Sequence, residues 1–172
     1  MADFKPAFEF VLQHEDSTCS GKVTVDAGGR TRFGIAERFH HDLPEDFFDG
    51  PADEALAVAE KIEEQEYWEP MRLAEVENQQ VAAKLFDMAV NMGVRQAAVY
   101  LQRALNGLAE PGQRLAEDGV IGAHTLAAIN SARPVVLYQL LCDLSARHYR
   151  HVAAMNPEQA VNLPGWIRRA EA

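Results

Sequence analysis

The stretch 79–92, QQVAAKLFDMAVNM, constrains the fold more than any other. Val81, Leu85, Phe86, Ala89, Val90 and Met92 recur at helical spacing but cover most of the circumference, where a surface helix would carry a single apolar stripe. Such a helix has to lie inside the molecule, with the rest of the chain wrapped round it. Gly93 supplies its stop. Asp87 and Asn91, four residues apart, share one face of this helix, and buried polar groups need partners. Two readings stay open for each. Asp87 contacts substrate on a cleft floor or pairs with Lys84; Asn91 lines the same floor or caps the helix before Gly93.

Other segments supply the wrapping. Phe4, Phe8, Val11 and Leu12 predict a helix over 4–15, with Asp3 as N-cap and Pro6 tolerated in the first turn. Alternation over 22–25, the Gly28-Gly29 turn, and Thr31, Phe33 and Ile35 predict one small β-hairpin. Further helices are expected over 52–68, stopped by Pro70, and over 96–105, 123–130 and 135–154, the last opened by Pro134. The chain then closes on NLPGWIRR. This is a mainly α fold with one small hairpin. With no linker, repeat or low-complexity tract, residues 1–172 are expected to form a single domain, long enough to remove roughly 70% of its unfolded surface from water.

Sixteen Lys and Arg against 26 Asp and Glu give a net charge of −10, which argues against an affinity built on neutralising phosphates, so nucleic acid is not an expected partner. No apolar run approaches the roughly 18–20 residues that span a bilayer, and MADFKPAFEF lacks the basic and apolar regions of a signal peptide. The expectation is synthesis in the cytoplasm without membrane insertion. The acidity suits a cell wall without teichoic acids better than one that carries them. Cys19 and Cys142 are expected to be free thiols. His148 and His151 lack an evident third ligand, so neither metal nor cofactor is expected.

Glu15 lies seven residues after Phe8, four after Val11 and three after Leu12, on the face that otherwise reads as core. Desolvation and the negative end of the helix dipole would both favour its protonated form, as a general acid at neutral pH requires. A solvated helix-end glutamate, or one paired with Lys22 or Arg30, is the alternative. Asp26 and Thr31 on the hairpin form a polar pair facing that helix end. A glycosidase needs such an arrangement: one carboxyl protonates the leaving oxygen while a second group serves the opposite sugar face. Asp26 reads equally as a turn residue beside Gly28-Gly29. Tyr67 and Trp166 can present flat faces to sugar rings, whereas Trp68 is expected in the core. Asp118-Gly119-Val120-Ile121-Gly122 reads as a tight structural turn.

The residues HE at 14–15, DAGGRTRFGI at 26–35, YWEP at 67–70, LFDMAVNMG at 85–93, YLQRALN at 100–106, EDGVIGAHTLAAI at 117–129 and GWIRR at 165–169 occur in an order that resembles glycoside hydrolase family 108. That bacterial and phage group of N-acetylmuramidases includes proteins labelled secretion activator or predicted peptidoglycan domain. The resemblance runs from about Phe8 to Arg169. It implies a lysozyme-like helical fold in which Glu15 protonates the glycosidic oxygen between N-acetylmuramic acid and N-acetylglucosamine, with Asn91 of FDxAVNxG as a substrate contact. Peptidoglycan glycan strands are then the partner. A holin or a secretion system would carry the protein to the periplasm or wall. The chain departs from the family where Asp16-Ser17-Thr18-Cys19 replaces the usual Gly-Gly-Tyr after the glutamate. That departure keeps open a catalytically degenerate homologue that only binds glycan or assists secretion.

Overall fold

In the computed structural model the described residues are 1–15, 20–26 and 29–171; the side chains of His14, Glu15 and Asp26 lie outside the description, as does Cys19. Seven α-helices and a small antiparallel sheet occur among them: α1 Phe4–Glu15, β1 Thr24–Asp26, β2 Gly29–Arg32, β3 Ile35–Ala36, α2 Ala52–Glu63, α3 Gln79–Met92, α4 Val94–Leu108, α5 Ala123–Ser131, α6 Pro134–Met155 and α7 Leu163–Glu171. The fold is mainly α, as the periodicity predicts.

α3 is the axis. Val81, Ala82, Leu85, Phe86, Met88 and Ala89 are buried, and α1, α4 and α6 pack around them. Asn78 opens α3 by accepting from the Val81 amide at 3.0 Å, and Gly93, at φ 86°, closes it, so that α4 starts at the very next residue. Asp3 caps α1 as its position predicts, its Oδ1 accepting from the Lys5 amide at 3.1 Å. The start of α1 is stitched to the start of α3. Ala2 donates to the Val76 carbonyl at 2.7 Å, the Asp3 amide to Gln79 Oε1 at 2.7 Å, and Gln79 Nε2 back to the Asp3 carbonyl at 2.9 Å. From there Phe4 meets Phe86 and Trp68 edge-on at 5.5 Å, in one buried cluster running from Ala2 to Leu141.

Three elements differ from the sequence reading. The expected hairpin is a three-stranded sheet, because the turn at Phe33-Gly34 returns two further residues, Ile35 and Ala36, against Thr31 and Arg32. The helix expected over 52–68 is α-helical only to Glu63. It then widens into a π-helical turn, Glu64–Trp68, closed by a bond from the Glu69 amide to the Glu64 carbonyl at 2.9 Å. The closing segment, for which the sequence predicts no element, forms α7: Pro164 and Gly165 fall in its first turn, where a missing amide costs nothing.

α7 is held by ions. Asp87, 1% exposed, accepts at Oδ1 from Arg169 Nε at 2.5 Å, and its Oδ2 lies 3.6 Å from Lys84 Nζ, which also donates to the Arg169 carbonyl at 2.8 Å. Of the two readings open for Asp87, the ion pair with Lys84 is present, extended by an arginine 82 residues further on. The Asp118-Gly119 segment is a turn clamped onto α4. Buried Gln102 donates to Asp118 Oδ1 at 2.7 Å and to the Val120 carbonyl at 3.1 Å, and accepts from the Gly119 amide at 2.9 Å. A side chain at Gly119, φ 77°, would come within 2.7 Å of Arg95 Cγ.

Two outcomes follow from these anchors. Asp87→Asn leaves the buried Lys84 ammonium without the carboxylate it faces and lowers the unfolding free energy in urea by about 3–5 kcal/mol; a loss below about 1 kcal/mol would show that the cluster is solvated. The Gln102 bond, then the Val120 amide, hold the Asp118 carboxyl below its ordinary value of 3.8, and Arg103 does the same to Glu117. Carboxyls lowered by folding stabilise above their unfolded values, and that stabilisation disappears as pH falls through the folded ones. Asp118→Asn therefore flattens the fall of Tm on acidification below about pH 4.

Candidate functional site

α1 buries Phe4, Ala7, Phe8, Val11 and Leu12 along one face, and Glu15, its last residue, occupies the register position that continues this stripe. α1 and α3 begin together and lie along each other, with lengths of 12 and 14 residues. At 1.5 Å per residue they rise about 18 and 21 Å. The helix ends that carry Glu15 and Asn91 therefore fall at the same end of the pair. Half-buried Asn91 donates from Nδ2 to the Asp87 carbonyl at 2.8 Å. Next to it, Met92 packs against the cluster of Ala146, Tyr149 and Ala170, as does Trp166 of α7, whose ring stacks on Tyr149 at 5.6 Å. Asn91 and Trp166 are thus brought to one corner. Trp166 uses a ring face for packing there.

The sheet follows α1 directly, and its seating is specified by Gly21, Phe33 and Arg32. Gly21 has φ 62°, and a β-carbon there would lie 2.2 Å from Phe33 Cζ, so the chain passes beneath the buried Phe33 ring only as glycine. Buried Arg32 donates from Nε to the Gly21 carbonyl at 2.9 Å, and from Nη1 to the carbonyls of Phe47 at 2.7 Å and Gly50 at 3.0 Å. Nothing in the sequence spacing singles out Arg32, because its acceptors converge only in the fold. On the same face Arg30 bridges Glu37 and Asp49 and covers the Phe48 ring at 4.4 Å. The Arg30 guanidinium holds the Glu37 carboxyl below its ordinary value. One face of the sheet is thereby committed to segment 44–50.

The pairs Thr24–Thr31 and Asp26–Gly29 put Thr24, Thr31 and position 26 together on the opposite face. The Asp26 side chain, like that of Glu15, lies outside the described residues. His40 ties the sheet to the π-helical turn: Nδ1 lies 3.1 Å from the Ala36 carbonyl and Nε2 3.2 Å from Glu66 Oε2. Tyr67, in that turn, packs half-buried against the core next to Trp68, whose ring meets Phe4 near the start of α1. Trp68 is in the core, as expected.

Among the described residues no group of three or more His, Cys, Asp or Glu is placed to hold a metal ion. His148 is occupied by Tyr100, whose hydroxyl lies 3.1 Å from its Nδ1, and burial lowers its pKa from the ordinary 6.5. Cys142 is a free, buried thiol. No helix among the described residues is long and apolar enough to cross a membrane.

Set beside known proteins, the first half of the chain matches the model of the glycosyl hydrolase 108 family over residues 8–93, and the second half matches a predicted peptidoglycan domain over residues 96–171. The chain belongs to glycosyl hydrolase family 108. Among solved structures, one titled "Structure of Brucella abortus SagA" superposes with a TM-score of 0.65 at 20% identity, covering 97% of this chain and 92% of that one, a similarity of fold. No curated protein matches.

Gly21→Ala tests the seating of the sheet. It is expected to lower the unfolding free energy by more than about 1 kcal/mol, since an unfavourable φ and a clash add together. Chemical denaturation checks this, and an unchanged midpoint would mean that Phe33 moves aside at no cost.

Proposed function

We propose that this protein is an N-acetylmuramidase of the lysozyme type, hydrolysing the bond between N-acetylmuramic acid and N-acetylglucosamine in peptidoglycan glycan strands. Glu15 is the general acid. Asp26 and Thr31 position the attacking water or stabilise the oxocarbenium-like transition state, while Asn91, Tyr67, Asp87 and Trp166 belong to the substrate-binding surroundings, Asp87 acting through the backbone it holds. The observation that carries this reading is the position of Glu15. It ends α1 in register with a buried stripe, at the end of α3 that also carries Asn91, and the next element along the chain is the sheet that bears Thr31 on the face opposite Arg32. A glutamate at the last position of a helix meets the negative end of its dipole, and a carboxyl that is also desolvated there is favoured in its protonated form, ready to donate. Family membership and the adjoining peptidoglycan domain agree with the substrate class. The protein would be made in the cytoplasm and act in the periplasm or wall, delivered by a secretion system or, in a phage lysin, by a holin.

A second reading has its own support in the Asp16-Ser17-Thr18-Cys19 segment after Glu15: a protein that binds glycan, or assists secretion, without cutting. Reducing-sugar release from purified sacculi, run beside co-sedimentation, separates the two. Under the enzymatic reading Glu15→Gln lowers turnover by about 10²–10⁴ with binding to sacculi retained. Equal release by the variant removes Glu15 from the acid role, and binding without release by the unmodified chain favours the second reading.

A further inference from the structure

α6 and the end of α7 enclose an open groove of about 350 Å³ lined by Tyr138, Gln139, Cys142, Asp143, Ala146, Arg150 and Glu171. This is the lower end of the size range of small-ligand sites. Tyr138, Cys142 and Ala146, four residues apart in turn, form its floor along one stripe of α6. Burial pushes both the Cys142 thiol and the Tyr138 hydroxyl up from their ordinary values, so the floor stays uncharged. The charges stand on the rim. Asp143 and Arg150 lie seven residues, or two turns, apart, about 10.5 Å along the axis, and Glu171 faces them from α7. Among the described residues neither Asp143 nor Arg150 nor Glu171 makes an ion pair or a side-chain hydrogen bond. An unpaired cation and two unpaired anions around one groove complement a ligand that carries both signs of charge several bonds apart.

We propose that this groove binds a short peptide bearing an ammonium group and a carboxylate, the chemistry of the stem peptides on peptidoglycan strands. Arg150 takes the carboxylate through its planar pair of N–H donors, and Asp143 with Glu171 takes the ammonium. The aliphatic part of the peptide lies over Cys142 and Ala146. The site rests on the peptidoglycan reading above but uses none of the residues assigned to hydrolysis. It lies wholly within residues 96–171, the part that matches the peptidoglycan domain. It would recognise the peptide while the neighbouring corner of Asn91 and Trp166 engages the sugar, so that strands carrying stems are held more tightly than bare ones.

Calorimetric titration of the full chain with the free tripeptide L-alanyl-γ-D-glutamyl-meso-diaminopimelate tests this. Saturable binding is expected, weakened at least tenfold by acetylating the side-chain amine of the peptide, and at least tenfold in Arg150→Gln and in Asp143→Asn. Both residues are exposed, so the variants are expected to fold normally, which circular dichroism verifies. Absence of saturable binding, or binding indifferent to both substitutions, overturns the proposal. Hydrolysis of glycan strands stripped of their peptides, measured in parallel, is expected to be unchanged in both variants. Tripeptide binding by a chain that fails to cut stripped glycan supports the groove and removes the glycosidase reading, whereas cutting without tripeptide binding does the reverse.

Discussion

The carboxylate of Asp87 is the interaction on which the rest of this structure depends. It stands on the central helix, out of water, and accepts a cation from its own helix through Lys84 and another from the last helix through Arg169. An unpaired carboxylate at that depth would cost several kcal/mol, so the chain folds only where the two cations meet it. Lys84 in addition donates to the Arg169 carbonyl, so α7 is held by side chain and backbone alike. Trp166 and Glu171 ride on the helix so fixed. The first reaches the corner of Asn91 and Met92, and the second becomes one wall of the α6 groove.

The parallel course of α1 and α3 is the second constraint, and it follows from short-range chemistry at their starts. Asp3 and Gln79 exchange two hydrogen bonds, the Ala2 amide reaches Val76, and the aromatic rings of Phe4, Phe86 and Trp68 lock the pair beside them. Two helices of similar length that begin together also end together. That arrangement delivers Glu15, Asn91 and the sheet to one end of the molecule, while Arg32 and Gly21 fix how the sheet leaves the helix.

Much of this was legible in the sequence. Helix α3 and its burial could be read from 79–92 because apolar residues on all sides of a helix have only one favourable environment, and the capping roles of Asp3 and Gly93 are local chemistry. The end of α1 at Glu15 follows from counting along one face. What escaped depends on contacts between distant residues. Arg169 as the partner of Asp87 lies 82 residues away, and the bonds that make Arg32 a keystone run to carbonyls with no sequence signature. The third strand is too short to show a period of two. Helix α7 carries Pro164-Gly165 in its first turn and is stabilised by ion pairing rather than propensity. The packing of the aromatic rings is likewise a matter of distant contacts: the ring of Trp166 stacks on Tyr149, and Tyr67 packs half-buried against the core.

The two family matches meet between residues 93 and 96, and the buried core crosses that point without interruption: Leu101, Ile129 and Leu137 belong to the same cluster as Phe8 and Phe86. The two matched stretches therefore share one core. Mass spectrometry of the soluble products from sacculi digested by the purified protein tests the central claim most directly. A muramidase yields muropeptides whose reducing end is N-acetylmuramic acid. Products ending in reducing N-acetylglucosamine, products cut only in the peptides, or sacculi left intact would contradict it.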